Sequence, residues 1–318
     1  MNVINKVSFF SVVIPTLNAG DDFFYLLRQL RRQVNGDKLD ILIVDSGSTD
    51  RTKNIAAQFG VRIIEIDPAS FNHGLTRNLG IQEAKSDFVC LLTQDAIPVN
   101  EFFLPLLGQT LEKEGAAGVC ARQIPRDDAS PLVRRDLEEW LNGSPQKRLA
   151  DLRSCPDFFS SSPMNRFFLS VFDNVASLIR KEVWKKIPFP EAAFAEDLEW
   201  AFRVICNGYS IVYEPEAMVV HSHERSSDYL YKRTFQDHYR LYEIFGVRTI
   251  PSRIKVMRSI ILSTAKDWGW LMKSFHPHPI WLKRMFNVPR FAWASAWGQY
   301  RGAKTAASGL PIHQLRDV

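Results

Sequence analysis

The 318-residue sequence has no run of about 18 or more uncharged apolar residues, so we expect no helix that spans a membrane. Its first residues, MNVINKVSFFSVVIPT, do not combine a basic region with a long apolar stretch and a small-residue cleavage site. The apolar part of that segment predicts a β-strand, so we expect a cytoplasmic protein that is not exported. The sequence also lacks the motifs typical of RNA- or DNA-binding domains, and we expect no nucleic-acid partner.

Cysteine is scarce, with four residues in the chain and no pair at C-x-x-C spacing. This spacing argues against a zinc ribbon or a disulfide framework. Cys90 and Cys120 lie in the apolar, strand-like segments FVCLL and GVCA. Together with Cys155 and Cys206, they are predicted to be buried, reduced thiols.

The net charge of +5 is unevenly distributed along the chain. Residues 224–318 contain 16 Lys or Arg against 6 Asp or Glu, a net charge of +10, so the preceding residues carry −5. An acidic front is suited to holding cations, whereas a basic tail favours contact with anionic surfaces.

Short apolar segments alternate with helical patterns through the first third of the chain. The first of them, FFSVVIPTL, is typical of a strand that is buried on both faces of a parallel sheet. Repeated strand–helix alternation predicts βαβ units and an α/β fold with a doubly wound, mostly parallel, Rossmann-like sheet. Further along, SIVYEPEAMVVHSHERS predicts a pair of strands ending in histidines. We expect an α/β domain over residues 1–225 and a basic, aromatic, helical C-terminal extension over residues 226–318.

Acidic residues follow two of the predicted strands, at the edge where doubly wound sheets bind ligands. Asp45 in VDSGSTD could accept a hydrogen bond from a uracil or thymine ring; alternatively, Ser48 and Thr49 could cap the following helix. Asp95 in LLTQDA could hold a divalent cation against two phosphates, or could be an ordinary turn residue.

Two further clusters lie closer to the C-terminus. Glu196 and Asp197 are adjacent at a predicted helix start, where one could act as a general base and the other contact a structural partner. His221 and His223 are predicted on the same side of a strand, where they could bind metal or phosphate, or form a solvated strand end.

Taken together, these segments resemble the inverting glycosyltransferases of family 2, which have the GT-A fold. The residues that carry the resemblance are SVVIPTLNAG, VDSGSTDRT, FNHGLTRNLG, LLTQDAIP, FAEDLEWAFR and VVHSH. Within the family, FNHGLTRNLG combined with LTQDA is similar to bacterial rhamnosyltransferases that use dTDP-L-rhamnose. Residues 1–225 would then be the nucleotide-sugar-binding and catalytic domain.

The resemblance implies roles for individual residues. Asp45 would bind the base, Asp95 would hold Mg²⁺ or Mn²⁺ against the diphosphate, and Asp197 would be the general base. His221 lies where some relatives supply a further metal or phosphate contact. The expected donor-binding residues are Pro15, Asp45, Ser46, His73, Arg77, Gln94 and Asp95, and the expected supporting residues are Asn174, Glu196 and His223.

Two residues depart from the family pattern. Ser46 stands where many relatives have a second Asp, and Gln94 replaces the first acid of the metal-binding D-x-D motif. With one carboxylate fewer, metal affinity is expected to be lower, and a metal-independent mechanism stays open.

The segment FNHGLTRNLG combines two glycines with four nitrogen-bearing side chains. We expect Gly74 to relax the backbone after the third strand, and Thr76 to cap a helix that starts near Arg77. Arg77 would contact a phosphate or form an ion pair with a carboxylate, and His73 would face the sugar-nucleotide pocket.

The basic tail contains an apolar stripe at helical spacing, flanked on one side by lysine and arginine. Its members are Ile254, Met257, Ile261, Ala265, Trp268, Met272 and Phe275. The stripe could pack against the α/β domain, or lie on an anionic membrane and bring the enzyme to a lipid-linked acceptor glycan.

The predicted reaction transfers a sugar, L-rhamnose by resemblance, to a hydroxyl of a growing surface glycan such as O-antigen or capsule. A family 2 transferase that uses another nucleotide sugar is one alternative, and a non-catalytic glycan- or nucleotide-binding GT-A module is another. Nucleotidyl transfer is disfavoured, because PTLNAGDD after the first strand lacks the basic residues of a glycine-rich phosphate loop.

Overall fold

A computed structural model of the chain describes residues 9–273 and 279–310. These residues form two compact units, which are described separately. The first unit comprises residues 9–126, Leu137–Ser160 and Phe168–Ser222. The second comprises Asp127–Asp136, Ser161–Phe167 and the described residues from His223 onwards. The main division therefore falls between Ser222 and His223. The sequence predicted it slightly later, between residues 225 and 226.

The first unit is built on β-strands joined by helices. The strands are β1 (Ser11–Thr16), β2 (Asp40–Asp45), β3 (Arg62–Glu65), β4 (Phe88–Leu92), β5 (Ile97–Pro98), β6 (Gly118–Ile124), β7 (Arg148–Ala150), β8 (Ala176–Arg180) and β9 (Ile211–Val220). The helices up to β9 are α1 (Asp22–Arg31), α2 (Thr52–Gln58), α3 (His73–Glu83), α4 (Phe103–Lys113), α5 (Pro131–Glu139), α6 (Pro163–Leu169), α7 (Lys181–Lys186) and α8 (Glu196–Cys206). Most of α5 and of α6 belongs to the second unit.

The strands form one sheet of mostly parallel strands, in the order β3-β2-β1-β4-β8-β6-β9-β5, with β7 paired to β9. Strands β1, β2, β3 and β4 are mutually parallel, whereas β8 runs antiparallel to both of its neighbours, β4 and β6. The strand order reverses between β1 and β4, which places a ligand-binding crevice at their carboxyl ends. The mostly parallel, doubly wound sheet confirms the predicted fold class.

Nearly every residue of β1, β2 and β4 is buried, as their apolar sequences predict, whereas the edge strand β3 is partly exposed. In β1, Val12 and Ile14 contribute to one hydrophobic core and Val13 to the other. The first core includes Phe23 of α1, and the second includes Trp200 of α8. Because successive side chains of a strand point to opposite faces, this alternation requires a layer of helices on each side.

Helix α3 begins earlier than predicted. Asn72 is its N-cap, and the Asn72 side chain accepts hydrogen bonds from the backbone N–H groups of Gly74 and Leu75, both at 3.1 Å. The predicted cap, Thr76, is instead a buried residue inside the helix. Gly74 also has a different role from the one expected, because it is helical and a Cβ atom there would lie 1.8 Å from the carbonyl oxygen of Pro190. Glycine permits this close approach of backbone to backbone.

The predicted strand pair before the histidines is a single strand, β9. It pairs with β6 in two stretches separated by a register shift between Ala121 and Arg122, so one strand replaces two. His221 and His223 follow the end of β9 at Val220, so they lie just beyond the strand on which they were predicted.

The cysteine prediction is confirmed for two residues. Cys90 and Cys120 are buried free thiols on β4 and β6, and burial raises the pKa of both. Cys155 and Cys206 are also free but only half-buried, so the prediction of full burial is wrong for them.

The second unit contains three long helices, α9 (Ser227–Phe245), α10 (Arg253–Lys273) and α11 (Pro279–Ala307). Helices α9 and α11 approach closely, because a Cβ atom at Gly298 would lie 2.1 Å from Thr234 Oγ1. Among the described residues, no helix is long and apolar enough to cross a membrane.

The apolar stripe of α10 is exposed rather than packed. Val256, Thr264 and Leu271 form the buried side of the helix. Ile254 is 82% exposed and Met272 is 64% exposed, and the stripe residues between them are exposed as well. Phe275, the last member of the stripe, lies outside the described residues.

Candidate active site

The loops that follow β1, β2 and β4 meet at one edge of the first unit. Ser46, just after β2, donates its backbone N–H to Thr16 O at 2.9 Å. Thr93, just after β4, donates its backbone N–H to Val175 O at 3.0 Å, next to the start of β8. Since β8 is antiparallel to β4, the start of β8 shares this edge with the carboxyl ends of the parallel strands.

A cavity of about 310 Å³ opens between these loops. This volume lies in the range of small-molecule sites, roughly 300 to 1,000 Å³. The residues that line it include five of the predicted donor-binding residues, Pro15, Ser46, His73, Arg77 and Gln94, together with the apolar Pro68 and Phe71. Asp45 and Asp95 lie outside this lining.

Asp45 shapes the loop beside the cavity. Its carboxylate is fully buried and accepts hydrogen bonds from Thr16 Oγ1 at 3.0 Å and from Ser48 Oγ at 2.5 Å. Its other oxygen accepts from the backbone N–H groups of Gly47 and Ser48, at 3.1 and 2.9 Å. Three of these four hydrogen bonds hold Gly47 and Ser48. Ser46, which directly precedes them, lines the cavity.

The alternative in which Ser48 and Thr49 cap helix α2 is wrong. The hydroxyl of Ser48 donates to Asp45, and the backbone N–H of Thr49 donates to Asn18 Oδ1 at 2.9 Å. Asp50 instead accepts the backbone N–H of Thr52, the first residue of α2, at 2.9 Å.

Gln94 ties the end of β1 to the end of β4. Its Oε1 accepts the backbone N–H of Leu17 at 2.8 Å, and its Nε2 donates to Leu17 O at 3.2 Å. Both ends of the amide are therefore used by the backbone. The residue that replaces the first acid of D-x-D is thus a structural clamp in this chain.

Asp95 faces His221 across the same edge. Asp95 Oδ1 lies 3.7 Å from His221 Nε2, and His221 Nδ1 lies 2.8 Å from Gln123 Oε1. Gln123 Nε2 donates to Asp173 Oδ2, and Asn142 donates to the same oxygen at 2.9 Å. Because the Asp173 carboxylate accepts here, the Gln123 amide is oriented with its oxygen towards His221, so His221 Nδ1 carries a proton.

This tautomer turns the Nε2 lone pair of a neutral His221 towards Asp95. A hydrogen bond to the far ring nitrogen is the usual way in which proteins orient a metal-binding histidine. A carboxylate and an imidazole at this separation would suit a divalent cation. Imidazole is a poorer ligand for Mg²⁺ than for transition metals, which favours Mn²⁺ of the two ions predicted.

Glu196 and Asp197 face different partners, as their adjacency at a helix start predicted. Glu196 is buried, and its Oε1 lies 2.8 Å from Arg77 Nη1. Asp197 is half-buried, and its Oδ2 accepts the backbone N–H of Asn174 at 3.1 Å. Asn174 also donates its side-chain amide to Glu196 at 3.3 Å, so it supports both acids.

The environment of Asp197 raises its pKa to about 7. Burial is the largest cause, and the neighbouring carboxylates of Glu196 and Asp173 add to it by repulsion. A carboxylate with a pKa near neutrality is suited to accept a proton from a substrate hydroxyl at physiological pH.

Arg77 joins the cavity to this acid pair. Arg77 lines the cavity, and its guanidinium lies 2.8 Å from Glu196 Oε1 and 3.3 Å from His73 Nδ1. The ion-pair alternative is therefore present in the structure, and the cavity side of Arg77 leaves the phosphate contact open to test.

Several residues of this edge were missed in the sequence, namely Gln123, Arg126, Asn142 and Asp173. Arg126 follows β6, and its Nη2 donates to Asp95 O at 3.2 Å. The one available signal was position: Gln123 is near the end of a strand-like segment, and Asp173 directly precedes NVASLI. His223 belongs to the second unit.

The sequence is similar to a known protein family and to individual proteins. Residues 11–175 match the family described as Glycosyl transferase family 2. The O-antigen chain rhamnosyltransferase WbaN of Salmonella anatum is 34% identical over 235 residues, which cover 71% of this chain and 70% of WbaN. RfbN of Salmonella typhimurium, also an O-antigen chain rhamnosyltransferase, is 33% identical over 232 residues, covering 71% and 70%.

Among solved structures, the fold is similar to residues 1–349 of TarS from Staphylococcus aureus. The TM-score is 0.53, with 15% sequence identity over 94% of this chain and 91% of that one. At this identity the likeness concerns the fold alone, which is of the GT-A type.

Proposed function

Because the chain belongs to glycosyl transferase family 2, we propose that it transfers L-rhamnose from dTDP-L-rhamnose to a hydroxyl of a growing, lipid-linked bacterial surface glycan. The observation that carries this proposal is the connection between cavity and base. Arg77 lines the nucleotide-sized cavity and bonds to Glu196, whose neighbour Asp197 has a pKa of about 7. The rhamnosyl donor is supported by the relatives that are 33% and 34% identical.

The cavity is suited to the nucleoside end of the donor. Pro68 and Phe71 offer apolar surface to a thymine ring, and Phe71 packs edge-on against His73, with ring centroids 4.9 Å apart. We assign Ser46 and the backbone around it to the base, with Asp45 acting through the loop that it holds. His73 and Arg77 would then face the sugar diphosphate.

The chemistry is one displacement at the anomeric carbon. As the acceptor oxygen forms its bond to that carbon, its proton passes to Asp197. The bond from the anomeric carbon to the diphosphate oxygen breaks, and its electron pair leaves with dTDP. A single displacement of this kind inverts the anomeric centre.

Asp95 and His221 would hold the divalent cation. When bound, the cation would offset negative charge on the leaving diphosphate. Gln123 and Asp173 place one of these two ligands, because they fix the orientation of the His221 ring. The acceptor would be a hydroxyl, because the base is a carboxylate of near-neutral pKa.

The donor assignment is tested by incubating the protein with a panel of nucleotide sugars and Mn²⁺, and measuring release of the nucleotide. We expect dTDP release from dTDP-L-rhamnose, and a raised melting temperature with dTDP. The matched control is dTDP-D-glucose, which has the same nucleotide and a different sugar. Turnover of UDP- or GDP-sugars in place of dTDP-L-rhamnose would overturn the donor assignment and leave the transferase in place.

The exposed stripe of α10 supports a peripheral membrane contact that would bring the enzyme to a lipid-linked acceptor. Lys255, Arg258, Lys266 and Lys273 lie along one side of the stripe, and the described part of α10 contains one acid, Asp267. An apolar helix face bordered by basic residues is typical of helices that lie in an anionic membrane interface. Each basic residue near such a surface contributes about 1 kcal/mol.

We expect the protein to co-sediment with vesicles that contain phosphatidylglycerol and to leave them as salt is raised. Replacing Ile261 and Trp268 together by glutamate should reduce binding by about tenfold or more, because it places charge in the apolar face. Phe102→Glu is the control, since Phe102 is an exposed apolar residue of the first unit. Equal binding to purely zwitterionic vesicles, or equal loss in the control, would contradict this contact.

A further inference from the structure

We propose that Arg126 is a catalytic residue that contacts the diphosphate of the donor and shares the neutralisation of its leaving charge with the divalent cation. This inference rests on the proposed donor site and adds a residue to it. Arg126 lies just after the end of β6, outside every segment that carries the family resemblance.

The guanidinium of Arg126 lies beside Asp95. Its Nη2 donates to Asp95 O at 3.2 Å and lies 3.9 Å from Asp95 Oδ2. Its Nη1 lies 3.0 Å from Asp22 Oδ2, at the start of α1. The backbone N–H of Arg126 donates to Ser222 Oγ at 3.0 Å. These contacts fix a positive charge next to the carboxylate that would hold the cation.

The ligand set of the cation explains why a second positive charge is useful there. Gln94 gives both ends of its amide to Leu17, so Asp95 is the carboxylate that remains of the D-x-D pattern. A dication held by a single carboxylate is bound less tightly than one held by two, and a guanidinium close to the same carboxylate weakens its binding further by repulsion. Diphosphate binding at such a site therefore depends less on the metal than it would at a site with two carboxylates.

Arginine is also the side chain that matches a phosphate best. Its planar fork offers five N–H donors, and two phosphate oxygens can accept from it in parallel. The Arg126 side chain is 24% exposed, so a ligand can reach it. While its contact with Asp22 is kept, the other edge of the fork is able to turn from the Asp95 carbonyl to a diphosphate oxygen.

In the reaction, Arg126 neither gives nor takes a proton. The bond between the anomeric carbon and the diphosphate oxygen breaks, the electron pair moves to that oxygen, and the new bond to the acceptor oxygen releases its proton to Asp197. Arg126 donates hydrogen bonds to the diphosphate as this charge develops.

The test measures binding of dTDP and of thymidine by titration calorimetry, with Mn²⁺ and with EDTA, to wild type, Arg126→Ala and Arg126→Lys. In EDTA, we expect Arg126→Ala to bind dTDP about 10- to 100-fold more weakly than wild type, since a charge-assisted contact is lost. Thymidine affinity should change less than about twofold, and Arg126→Lys should recover part of the dTDP affinity. Arg28→Ala, which removes an exposed arginine of α1, is the control.

The outcomes separate the two levels of the proposal. If wild type does not bind dTDP, the proposed donor site fails. If wild type binds dTDP and Arg126→Ala binds it equally well in EDTA, the role of Arg126 is overturned while the donor site stands. A parallel loss of dTDP and thymidine affinity would also overturn it, because it would show a merely structural contact between Arg126 and its neighbours.

Discussion

Asp197→Asn is expected to lower kcat for dTDP-L-rhamnose by about 10² to 10⁴, while dTDP affinity changes less than about twofold. The amide keeps an oxygen that can accept the backbone N–H of Asn174, so the local structure is retained. It cannot take the proton of the acceptor hydroxyl. The measurement is steady-state release of dTDP together with its binding constant.

The pH dependence gives a second readout for the same residue. Asp197 must be ionised to act as a base, and burial with two neighbouring acids raises its pKa to about 7. In wild type, log kcat should therefore rise with a slope of about one below this pH and level off above it. The residual rate of Asp197→Asn should lack this inflection.

Stability should respond with the opposite sign. A carboxyl whose pKa is raised by folding binds more protons in the native state, so its ionisation lowers the free energy of unfolding as pH rises from about 4 to about 7. Asp197→Asn removes the ionisable group and with it this loss of stability. The variant should therefore gain stability relative to wild type between pH 5 and pH 8, as measured by urea denaturation.

Glu199→Gln is the matched control for these experiments. Glu199 lies on the same helix, α8, and forms an ion pair with Arg203 one turn further along that helix. Its loss should leave kcat nearly unchanged. An unaltered kcat in Asp197→Asn, or an equal fall in Glu199→Gln, would remove the base assignment.

The sequence predicted the fold because the central strands depend on local composition. Val12, Val13 and Ile14 are all buried, and an uninterrupted apolar run of this kind fits a strand covered on both sides. The antiparallel strand β8 inside the sheet could not be predicted in this way. An apolar segment of this kind is compatible with a parallel or an antiparallel strand. The direction and position of β8 are set by its pairing with β4 and β6, which are distant in sequence.

Local capping rules also failed at one informative position. Thr76 and Asn72 are both good capping residues, and the sequence offered no reason to prefer the earlier one. The structure selects Asn72 because Gly74 must pass close to Pro190, which places this turn inside the helix. The deciding contact lies more than one hundred residues away along the chain.

The sequence identified residues of the candidate site that follow predicted strands, but not the residues that hold them in position. Ser46, His73 and Gln94 follow predicted strands closely, and they line one cavity. Gln123 and Asp173 were missed because their importance comes from a hydrogen-bond chain to His221. A chain of this kind joins three distant segments, and no local pattern identifies it.

The buried ion pair between Arg77 and Glu196 carries the second large prediction. Both side chains are only 6% exposed, and Arg77 Nη1 lies 2.8 Å from Glu196 Oε1. Arg77→Met is expected to lower the free energy of unfolding by about 3 to 5 kcal/mol, because it leaves Glu196 buried without its counter-charge. Urea denaturation at pH 7.5 measures this loss.

The double variant Arg77→Met with Glu196→Met distinguishes a lost pair from lost packing. Removing both charges should recover most of the stability, since neither is left buried alone. As the control, breaking the more exposed pair of Arg203 and Glu199 should cost less than about 0.5 kcal/mol. Equal destabilisation of single and double variants would contradict the ion-pair explanation.

The same variants decide between the two roles left open for Arg77. If Arg77 serves mainly to hold Glu196, the double variant should bind dTDP nearly as well as wild type, because the cavity is otherwise intact. If Arg77 also contacts the diphosphate, dTDP affinity should stay about tenfold lower after stability has been recovered, while thymidine affinity is unchanged. Since Arg77 lines the cavity and touches His73, we expect the second result, with Arg77 linking donor binding to the acid pair that includes the base.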